Sequence, residues 1–339
     1  MNNRIFFSDG RYMSLPFFKK RVDINVNNSE SIKIGLKLYN PYSKKGEIIK
    51  SVYSKLILSI PFLTKLLSRS QNKGSFISYL EEKVLKQEVI SSIYYPTIPD
   101  KLVLQLSSKT DAIIGYLKIG INDQGNQNIK NETKGIQIMI SKQLLLSDYL
   151  IYSGNYESHD FLLVKNIDGE TLRSIKAEEL DIILESLKTE KTYLLNEHPG
   201  FRALIEKCSS LNQTQFVDIL DKIGDQSIEK YSLVYQHGDL ALWNMFKGHD
   251  GKIHLFDFEY FSNEGIEYID LFNFHYQAAK LLMKKSENEL ISDMRRKIKI
   301  KEFDKLFVVF LVHRIILMLE ENSDVKFETQ LLNLVIKLG

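Results

Sequence analysis

The chain has 339 residues, which is enough for a large core and predicts one two-part unit or two domains. Its 45 Lys and Arg residues nearly balance its 43 Asp and Glu residues, so we expect no nucleic-acid partner for the protein as a whole. The single cysteine, Cys208, excludes an intrachain disulfide and a cysteine-based metal site, and it fits a reducing compartment.

Two stretches bear on localisation. Residues 1–21 lack the continuous apolar run of a signal peptide, so we expect a cytoplasmic protein. The most apolar run, Leu306–Val312, is much shorter than the roughly 20 residues that a membrane-spanning helix needs. This run therefore predicts a buried helix.

The segment from Ser31 to Lys73 is locally basic. It contains eight lysines and one arginine against the single acid Glu47, interleaved with Ile, Leu, Tyr and Phe. Such a charge run is most often the solvated face of helices that pack against the main body. Docking on a membrane surface or on a polyanion is the alternative, because the segment is also partly amphipathic.

The next elements change from helical to strand periodicity. Apolar residues recur at helical spacing over Phe76–Val89, which predicts a helix. Three short β-branched runs follow at Ile90–Tyr95, Lys101–Ser107 and Ala112–Ile119, separated by turn residues. These runs predict three consecutive antiparallel strands.

A helix is predicted to start near Asn126 or Asn128 and to continue to residue 146. Two further strands are expected at 149–153 and 160–166, and a chain turn ends at Gly169. From Thr171 onward helical patterns dominate, broken by two short strands at 232–236 and 252–258.

The stretch from His237 to Glu259 concentrates polar groups. His237-Gly238-Asp239 is followed five residues later by Asn244, and Asp257 lies 13 residues further on, at the start of Asp-Phe-Glu. Together with the order of strands and helices, this combination resembles the aminoglycoside phosphotransferase and choline kinase superfamily.

The resemblance implies an α+β, two-lobed protein-kinase-like fold. In such a fold residues 86–167 would form a small antiparallel-sheet N-lobe, and residues 168–339 a mostly helical C-lobe that carries the catalytic loop. Residues 1–85 would be an additional N-terminal element, basic and partly helical, which the resemblance does not explain.

The resemblance also implies roles for the motif residues. Asp239 would orient an acceptor hydroxyl and take its proton, and His237 would be a structural member of the loop. Asn244 and Asp257 would hold Mg²⁺, a hard cation that prefers oxygen ligands. Phosphoryl transfer needs this kind of positioning and charge neutralisation.

The N-lobe would bind ATP. The resemblance implies an ion pair between Lys118 and Glu132, which lie 14 residues apart on a strand and the following helix. The turn between the first two predicted strands contains no glycine, so Thr97 and Lys101 would be the residues that contact the nucleotide phosphates there.

A hinge at residues 164–168 would line the adenine site through Val164 and Asn166. The missing glycine leaves open whether ATP or another nucleotide is preferred.

For the histidines, for Glu259 and for Asp270, two roles each are possible. His237, His249 and His254 could suggest a zinc site, but their spacings of 12 and 5 match no helical or turn-based ligand pair. Glu259 is either part of the site or a surface carboxylate. Asp270 either anchors the catalytic loop or is likewise solvated.

The predicted function is ATP- and Mg²⁺-dependent phosphorylation of a hydroxyl on a small molecule such as a sugar, amino sugar or amino alcohol. The alternative is a catalytically inactive pseudokinase that acts as a binding or scaffold protein. The presence of every expected base and metal residue favours the enzyme. Aromatic residues near the loop, among them Trp243, Tyr260 and Tyr276, favour core packing over a cation-binding box.

Overall fold

The computed structural model describes residues 3–15, 21–38, 41, 44–96, 100–110, 112–167, 169–249 and 251–338. The chain divides into two compact units, Met1–Asp168 and Gly169–Gly339. Within the described ranges, none of the helices combines the length and the apolar character needed to cross a membrane.

The first unit is built on one eight-stranded antiparallel sheet. Its strands are β1 (Gly10–Leu15), β2 (Arg21–Asn25), β3 (Arg69–Gln71), β4 (Val89–Tyr95), β5 (Lys101–Ser108), β6 (Ile113–Gly120), β7 (Leu150–Tyr156) and β8 (His159–Lys165). The order across the sheet is β3-β1-β2-β4-β5-β6-β8-β7. The three predicted consecutive antiparallel strands are confirmed as β4, β5 and β6.

The N-terminal residues contribute to this same sheet. Strand β2 pairs antiparallel with β4, with Val22 opposite Tyr94, so β1, β2 and β3 extend the sheet beyond the three predicted strands. The sequence patterns did not predict these strands. The domain boundary at residue 85 stays a prediction.

The helices of the first unit pack against the sheet. They are α1 (Ser29–Gly35), α2 (Lys44–Ser59), α3 (Pro61–Leu67), α4 (Ser75–Tyr79) and α5 (Asp123–Ser141), with a 3₁₀ turn at Asn3–Phe6 and a π-helical segment at Leu80–Leu85. One buried cluster gathers Phe76, Leu104 and Phe161, and a second gathers Ile24, Ile32 and other residues of β1, β2, α1 and α2.

Three helix boundaries differ from the sequence prediction. The predicted helix over 76–89 ends with the π-helical segment at Leu85, because Val89 already opens β4. Helix α5 starts earlier than Asn126, because Asn122 caps it and its side chain accepts the Gly125 N–H at 2.8 Å. The same helix ends at Ser141 instead of continuing to 146.

The second unit is mainly helical, as predicted. Its helices are α6 (Ala177–Leu187), α7 (Pro199–Ser210), α8 (Thr214–Gln226), α9 (Ile269–Gln277), α10 (Glu287–Lys297), α11 (Phe303–Glu320) and α12 (Lys326–Leu338), with 3₁₀ turns at Leu195–Glu197 and Leu242–Asn244 and a π-helical segment at Ala278–Leu282. The prediction of a buried helix over Leu306–Val312 is confirmed, because all seven of these residues of α11 are buried.

The second unit also contains more strands than the sequence predicted. They are β9 (Gly169–Thr171), β10 (Lys188–Leu194), β11 (Lys230–Gln236), β12 (Met245–Gly248), β13 (Ile253–Leu255) and β14 (Ser262–Ile266), in two sheets ordered β10-β11-β14 and β13-β12-β9. Residues 188–194 lie where helical patterns were expected to dominate, but they form a strand, since pairing with β11 holds them extended. Strand β13 ends before the predicted 258, because Asp257 has a positive φ of 70°.

Candidate active site

The centre of the candidate site is the loop that leaves β11 at His237, Gly238 and Asp239. Gly238 has a φ of +83°, a conformation that side-chain-bearing residues rarely adopt. A Cβ atom at this position would lie 2.3 Å from the Tyr260 carbonyl oxygen. Glycine therefore lets the chain turn sharply here and set Asp239 beyond the end of the strand.

His237 holds this loop in place. It is buried, its Nε2 lies 3.0 Å from the Phe256 carbonyl oxygen, and its Nδ1 lies 3.3 Å from the Asp239 amide nitrogen. An imidazole that accepts at Nδ1 and donates from Nε2 is the neutral tautomer. Because both of its ring nitrogens contact backbone groups, His237 supports the loop.

Asp270, at the start of α9, anchors the same loop from the other side. Its two carboxylate oxygens accept the backbone N–H groups of His237 at 2.7 Å and of Gly238 at 2.9 Å. The side chain is buried, and burial raises its pKa to about 7 even though the two N–H donors act in the opposite direction. Of the two alternatives for Asp270, the structure shows the loop anchor.

Both oxygens of the Asp239 carboxylate accept hydrogen bonds from side chains. Oδ1 accepts Gln277 Nε2 at 2.9 Å and Asn273 Nδ2 at 3.4 Å, and Arg314 Nη1 lies 3.9 Å away. Oδ2 accepts Asn244 Nδ2 at 3.1 Å. The carboxylate therefore has a fixed position while one fifth of the side chain stays accessible.

Burial also makes Asp239 more basic than an ordinary aspartate. Loss of hydration raises its pKa to about 6, and the negative charge of Asp257 acts in the same direction. The Arg314 guanidinium and the amide donors of Asn273 and Gln277 limit the rise. Asp239 is thus mostly ionised at neutral pH, but it binds a proton more readily than a solvated carboxylate.

Asn244 and Asp257 both lie near Asp239. Asn244 is buried at the end of its 3₁₀ turn, and its Nδ2 donates to the Asp239 carbonyl oxygen at 2.8 Å as well as to the carboxylate. The Phe256 N–H donates to the Asn244 carbonyl oxygen at 3.1 Å, which brings the next residue, the half-buried Asp257, beside Asn244.

This pair fits a magnesium ion chemically. The Nδ2 atom of Asn244 is committed to Asp239, so Oδ1 is the amide atom that remains to bind a cation. Asp257 adds a carboxylate. An amide oxygen and a carboxylate are hard ligands of the kind that Mg²⁺ uses, together with water and substrate phosphates.

The histidines of the loop have other surroundings. His254 is buried, and its ring stacks on Phe246 with 5.2 Å between the ring centroids. Among the residues that the structure describes, no three His, Cys, Asp or Glu side chains are grouped so that they could hold a metal ion. His237, His249 and His254 are therefore not brought together as zinc ligands.

In the first unit, Lys118 on β6 and Glu132 on α5 form the expected ion pair. Lys118 Nζ lies 2.6 Å from Glu132 Oε1, and the Glu132 side chain is only 3% exposed. A paired, largely buried lysine keeps its ammonium group in a defined position. The role of this pair in binding nucleotide phosphates stays a prediction.

The remaining nucleotide-site residues are placed as follows. Thr97 lies outside the described residues. Lys101 opens β5 opposite Gly120. Val164 is buried in β8, with Tyr116 and Leu150 as its neighbours on the flanking strands. Asn166 follows β8. For these four residues, nucleotide binding stays a prediction.

Three residues that position Asp239 were not predicted from the sequence: Asn273, Gln277 and Arg314. Asn273 and Gln277 follow Asp270 at spacings of three and seven residues, so all three lie on one face of α9 and all three are buried. Polar residues at this helical spacing in an otherwise apolar helix are a signal that could have found them. For Arg314, which follows the apolar run of α11, no sequence signal is evident.

The aromatic residues of α9 belong to the core. Phe272 is fully buried and stacks on Phe307, with 5.3 Å between the ring centroids. Tyr276 is also fully buried and donates its hydroxyl to Glu328, which Lys280 contacts as well. The preference for core packing over a cation-binding box holds for these two side chains.

Comparisons with known proteins give matches in structure but not in sequence. No family model matches the chain, and no curated protein matches it. Among solved structures, choline kinase LicA from Streptococcus pneumoniae is similar at a TM-score of 0.46 and 12% identity, over 77% of this chain and 97% of that chain.

Two further structures are similar over comparable spans. An ethanolamine kinase from Plasmodium vivax has a TM-score of 0.41 and 13% identity, over 91% of this chain and 94% of that chain. A spectinomycin phosphotransferase in complex with ADP and spectinomycin has a TM-score of 0.44 and 11% identity, over 77% of this chain and 93% of that chain.

Proposed function

We propose that this protein transfers the terminal phosphoryl group of ATP to a hydroxyl of a small molecule. The observation that supports the proposal most is the environment of Asp239. Its carboxylate is held through both oxygens by amide side chains, lies beside an Asn244–Asp257 pair suited to magnesium, and has a pKa raised to about 6.

Asp239 would act as the base. The acceptor hydroxyl oxygen forms a bond to the γ-phosphorus, its proton passes to the Asp239 carboxylate, and the bond to the β-phosphate oxygen breaks to release ADP. The donors from Gln277 and Asn244 hold the carboxylate in one orientation while the hydroxyl approaches. A base with a pKa close to the working pH is effective because it is ionised yet still accepts a proton.

Asn244 and Asp257 would hold Mg²⁺ through oxygen atoms. When bound, the ion would neutralise charge on the phosphate oxygens. Asn244 links the metal site to the base, because its Nδ2 donates to Asp239 while its Oδ1 remains for the cation. Lys118, held by Glu132, would bind nucleotide phosphates in the first unit.

The acceptor belongs to the class of sugars, amino sugars and amino alcohols that the superfamily resemblance suggests. The alternative function is a catalytically inactive pseudokinase that binds or scaffolds. The raised pKa and the fixed geometry of Asp239 favour the enzyme, since a scaffold has no need for a buried and tuned carboxylate.

Two variants test the proposal by separating the base from the metal site. Asp239→Asn removes an interaction made mainly in the transition state, so kcat should fall by about 10²- to 10⁴-fold with little change in ATP affinity. Asn244→Ala should raise the magnesium requirement and the KM for ATP, and excess Mg²⁺ should partly restore its rate. ADP release with a panel of acceptors, including metabolite extracts, provides the assay.

Asp225→Asn, an exposed carboxylate on α8, is the matched control and should leave kcat and KM unchanged. Near-native turnover in both loop variants, or equal rescue of Asp239→Asn by magnesium, would remove this loop from the reaction. Calorimetric measurement of ATP binding with and without Mg²⁺, set beside the turnover assay, distinguishes a pseudokinase from an active kinase. Binding of ATP without any turnover across the acceptor panel would support it.

A further inference from the structure

Helices α2 and α3 carry an exposed surface that is both apolar and basic. Of the seventeen large apolar side chains found exposed in the described part of the chain, nine fall between residues 48 and 67. The apolar members of this surface, here called the lysine–apolar face, are Ile48, Ile49, Val52, Leu56, Leu58, Ile60, Phe62, Leu66 and Leu67. Its basic members are Lys44, Lys45, Lys55 and Lys65.

The apolar side chains form an ordered stripe. Ile48, Val52 and Leu56 recur every four residues along α2, so they lie on one side of the helix. Ile48 is 65% exposed and Val52 is 64% exposed, whereas Ile57 on the opposite side is buried in the core. Helix α2 therefore has two apolar sides, and only one of them is used by the fold.

Helix α3 continues the same pattern. Phe62 is 69% exposed and Leu66, four residues later, is 66% exposed, while Thr64 between them is buried. Scattered exposed apolar residues are normal on a soluble protein, but nine within twenty consecutive residues, five of them at four-residue spacing, indicate an interaction surface.

The charge around the cluster indicates what covers it. The surrounding segment, 31–73, contains nine basic residues and the single acid Glu47. Lys33, Arg69 and Lys73 are paired with acids outside the segment, so the positive charge of the face comes from its exposed lysines. A second copy of the chain would bring this positive charge against itself, which opposes association. Binding to a soluble polyanion would use the lysines but would leave the apolar side chains in water. An anionic bilayer surface satisfies both, because acyl chains accept the apolar groups and headgroups attract the lysines.

A cavity next to the face provides a further observation. It has a volume of about 270 Å³, and both Leu58 and Lys65 of the lysine–apolar face line it. Arg11 also lines this cavity, and its Nε is buried with no hydrogen-bond acceptor among the described residues. The Arg11 guanidinium also donates from Nη2 to the Lys65 carbonyl oxygen at 3.4 Å, so a further basic side chain lies at the edge of the lysine–apolar face.

We propose that the lysine–apolar face docks the protein peripherally on a bilayer that contains anionic phospholipid. The apolar side chains of α2 and α3 would enter the boundary between headgroups and acyl chains, with the lysines at headgroup level. The inference is independent of the proposed phosphoryl transfer, since no residue of that site takes part.

Co-sedimentation of the full chain with vesicles tests this inference. The protein should sediment with phosphatidylcholine vesicles that contain phosphatidylglycerol, and much less with phosphatidylcholine alone. Added salt should weaken the binding, because it screens the lysines. Val52→Glu and Phe62→Glu should each weaken binding by about tenfold or more, because each puts a charge where an apolar side chain would enter the bilayer.

Ile182→Glu is the matched control, since Ile182 is 69% exposed on α6, outside the face. It should bind vesicles like the wild type, and thermal melts should show all three variants folded. Three results would overturn the inference: no sedimentation with anionic vesicles at low salt, unchanged binding by the Val52 and Phe62 variants, or a concentration-dependent dimer in ultracentrifugation that Val52→Glu abolishes. Equal binding of the wild type and Val52→Glu to heparin, with no vesicle binding, would assign the lysines to a soluble polyanion instead.

Discussion

Replacing Gln277 with methionine should shift the pH dependence of the reaction without removing any group proposed to react. Gln277 Nε2 donates to Asp239 Oδ1 at 2.9 Å, the shortest side-chain hydrogen bond that the carboxylate accepts. Methionine has a similar length but no donor. Because a donor favours the ionised form, its removal must raise the pKa of Asp239 above the value of about 6 in the wild type.

The size of the shift follows from the strength of the bond. A hydrogen bond to a charged group contributes about 1.5–3 kcal/mol, and one pKa unit corresponds to about 1.4 kcal/mol. The pKa of Asp239 should therefore rise by roughly one to two units. In the wild type kcat/KM should increase with pH through about 6, as Asp239 loses its proton. In Gln277→Met the same rise should come between about pH 7 and pH 8.

The measurement is kcat/KM from ADP release as a function of pH on a verified acceptor. At a pH well above both transitions the two proteins should have similar rates, which separates a pKa shift from a loss of structure. Gln105→Met is the matched control, since Gln105 is buried on β5 of the first unit. An unchanged pH profile in Gln277→Met would mean that Asp239 is not the base, or that Gln277 does not control its ionisation.

Three further predictions concern the metal site and the loop. Asp257→Ala should abolish Mg²⁺-dependent ATP binding in calorimetry and leave the thermal melt intact, and undiminished affinity would exclude Asp257 from the metal site. Asp270→Ala should lower the free energy of unfolding by about 2–6 kcal/mol in urea, because two buried N–H groups lose their acceptor; a loss under 1 kcal/mol would contradict the anchor. Gly238→Ala should lower the free energy of unfolding by more than the roughly 1–2 kcal/mol expected for a positive φ alone, because the new Cβ atom would meet Tyr260. Gly251→Ala is the matched control: Gly251 has a similar φ but open space around it, so this substitution should lower the free energy of unfolding only by the cost of the positive φ.

Local sequence patterns were sufficient for the elements that depend on neighbours in the chain. Strands β4, β5 and β6 follow from β-branched runs between turn residues, and the buried part of α11 follows from its apolar run. The spacing of Asp239, Asn244 and Asp257 singled out the loop, because a turn and a short hairpin bring residues so close in sequence together in space.

Tertiary structure decided everything that depends on distant partners. Asn273 and Gln277, 34 and 38 residues away, donate hydrogen bonds to Asp239, and Arg314 on α11 places a positive charge 3.9 Å from its carboxylate. These side chains reach Asp239 only because α9 and α11 pack in one core, and that packing also raises the pKa of Asp239.

The same reason explains the missed strands and the lysine–apolar face. Strand β10 is extended because β11 pairs with it, although its own residues show no strand pattern. The lysines of 31–73 were visible in the sequence, but either side of α2 could have been the buried one. Burial of Ile57 decided this, because it turned Val52 and its apolar neighbours toward solvent.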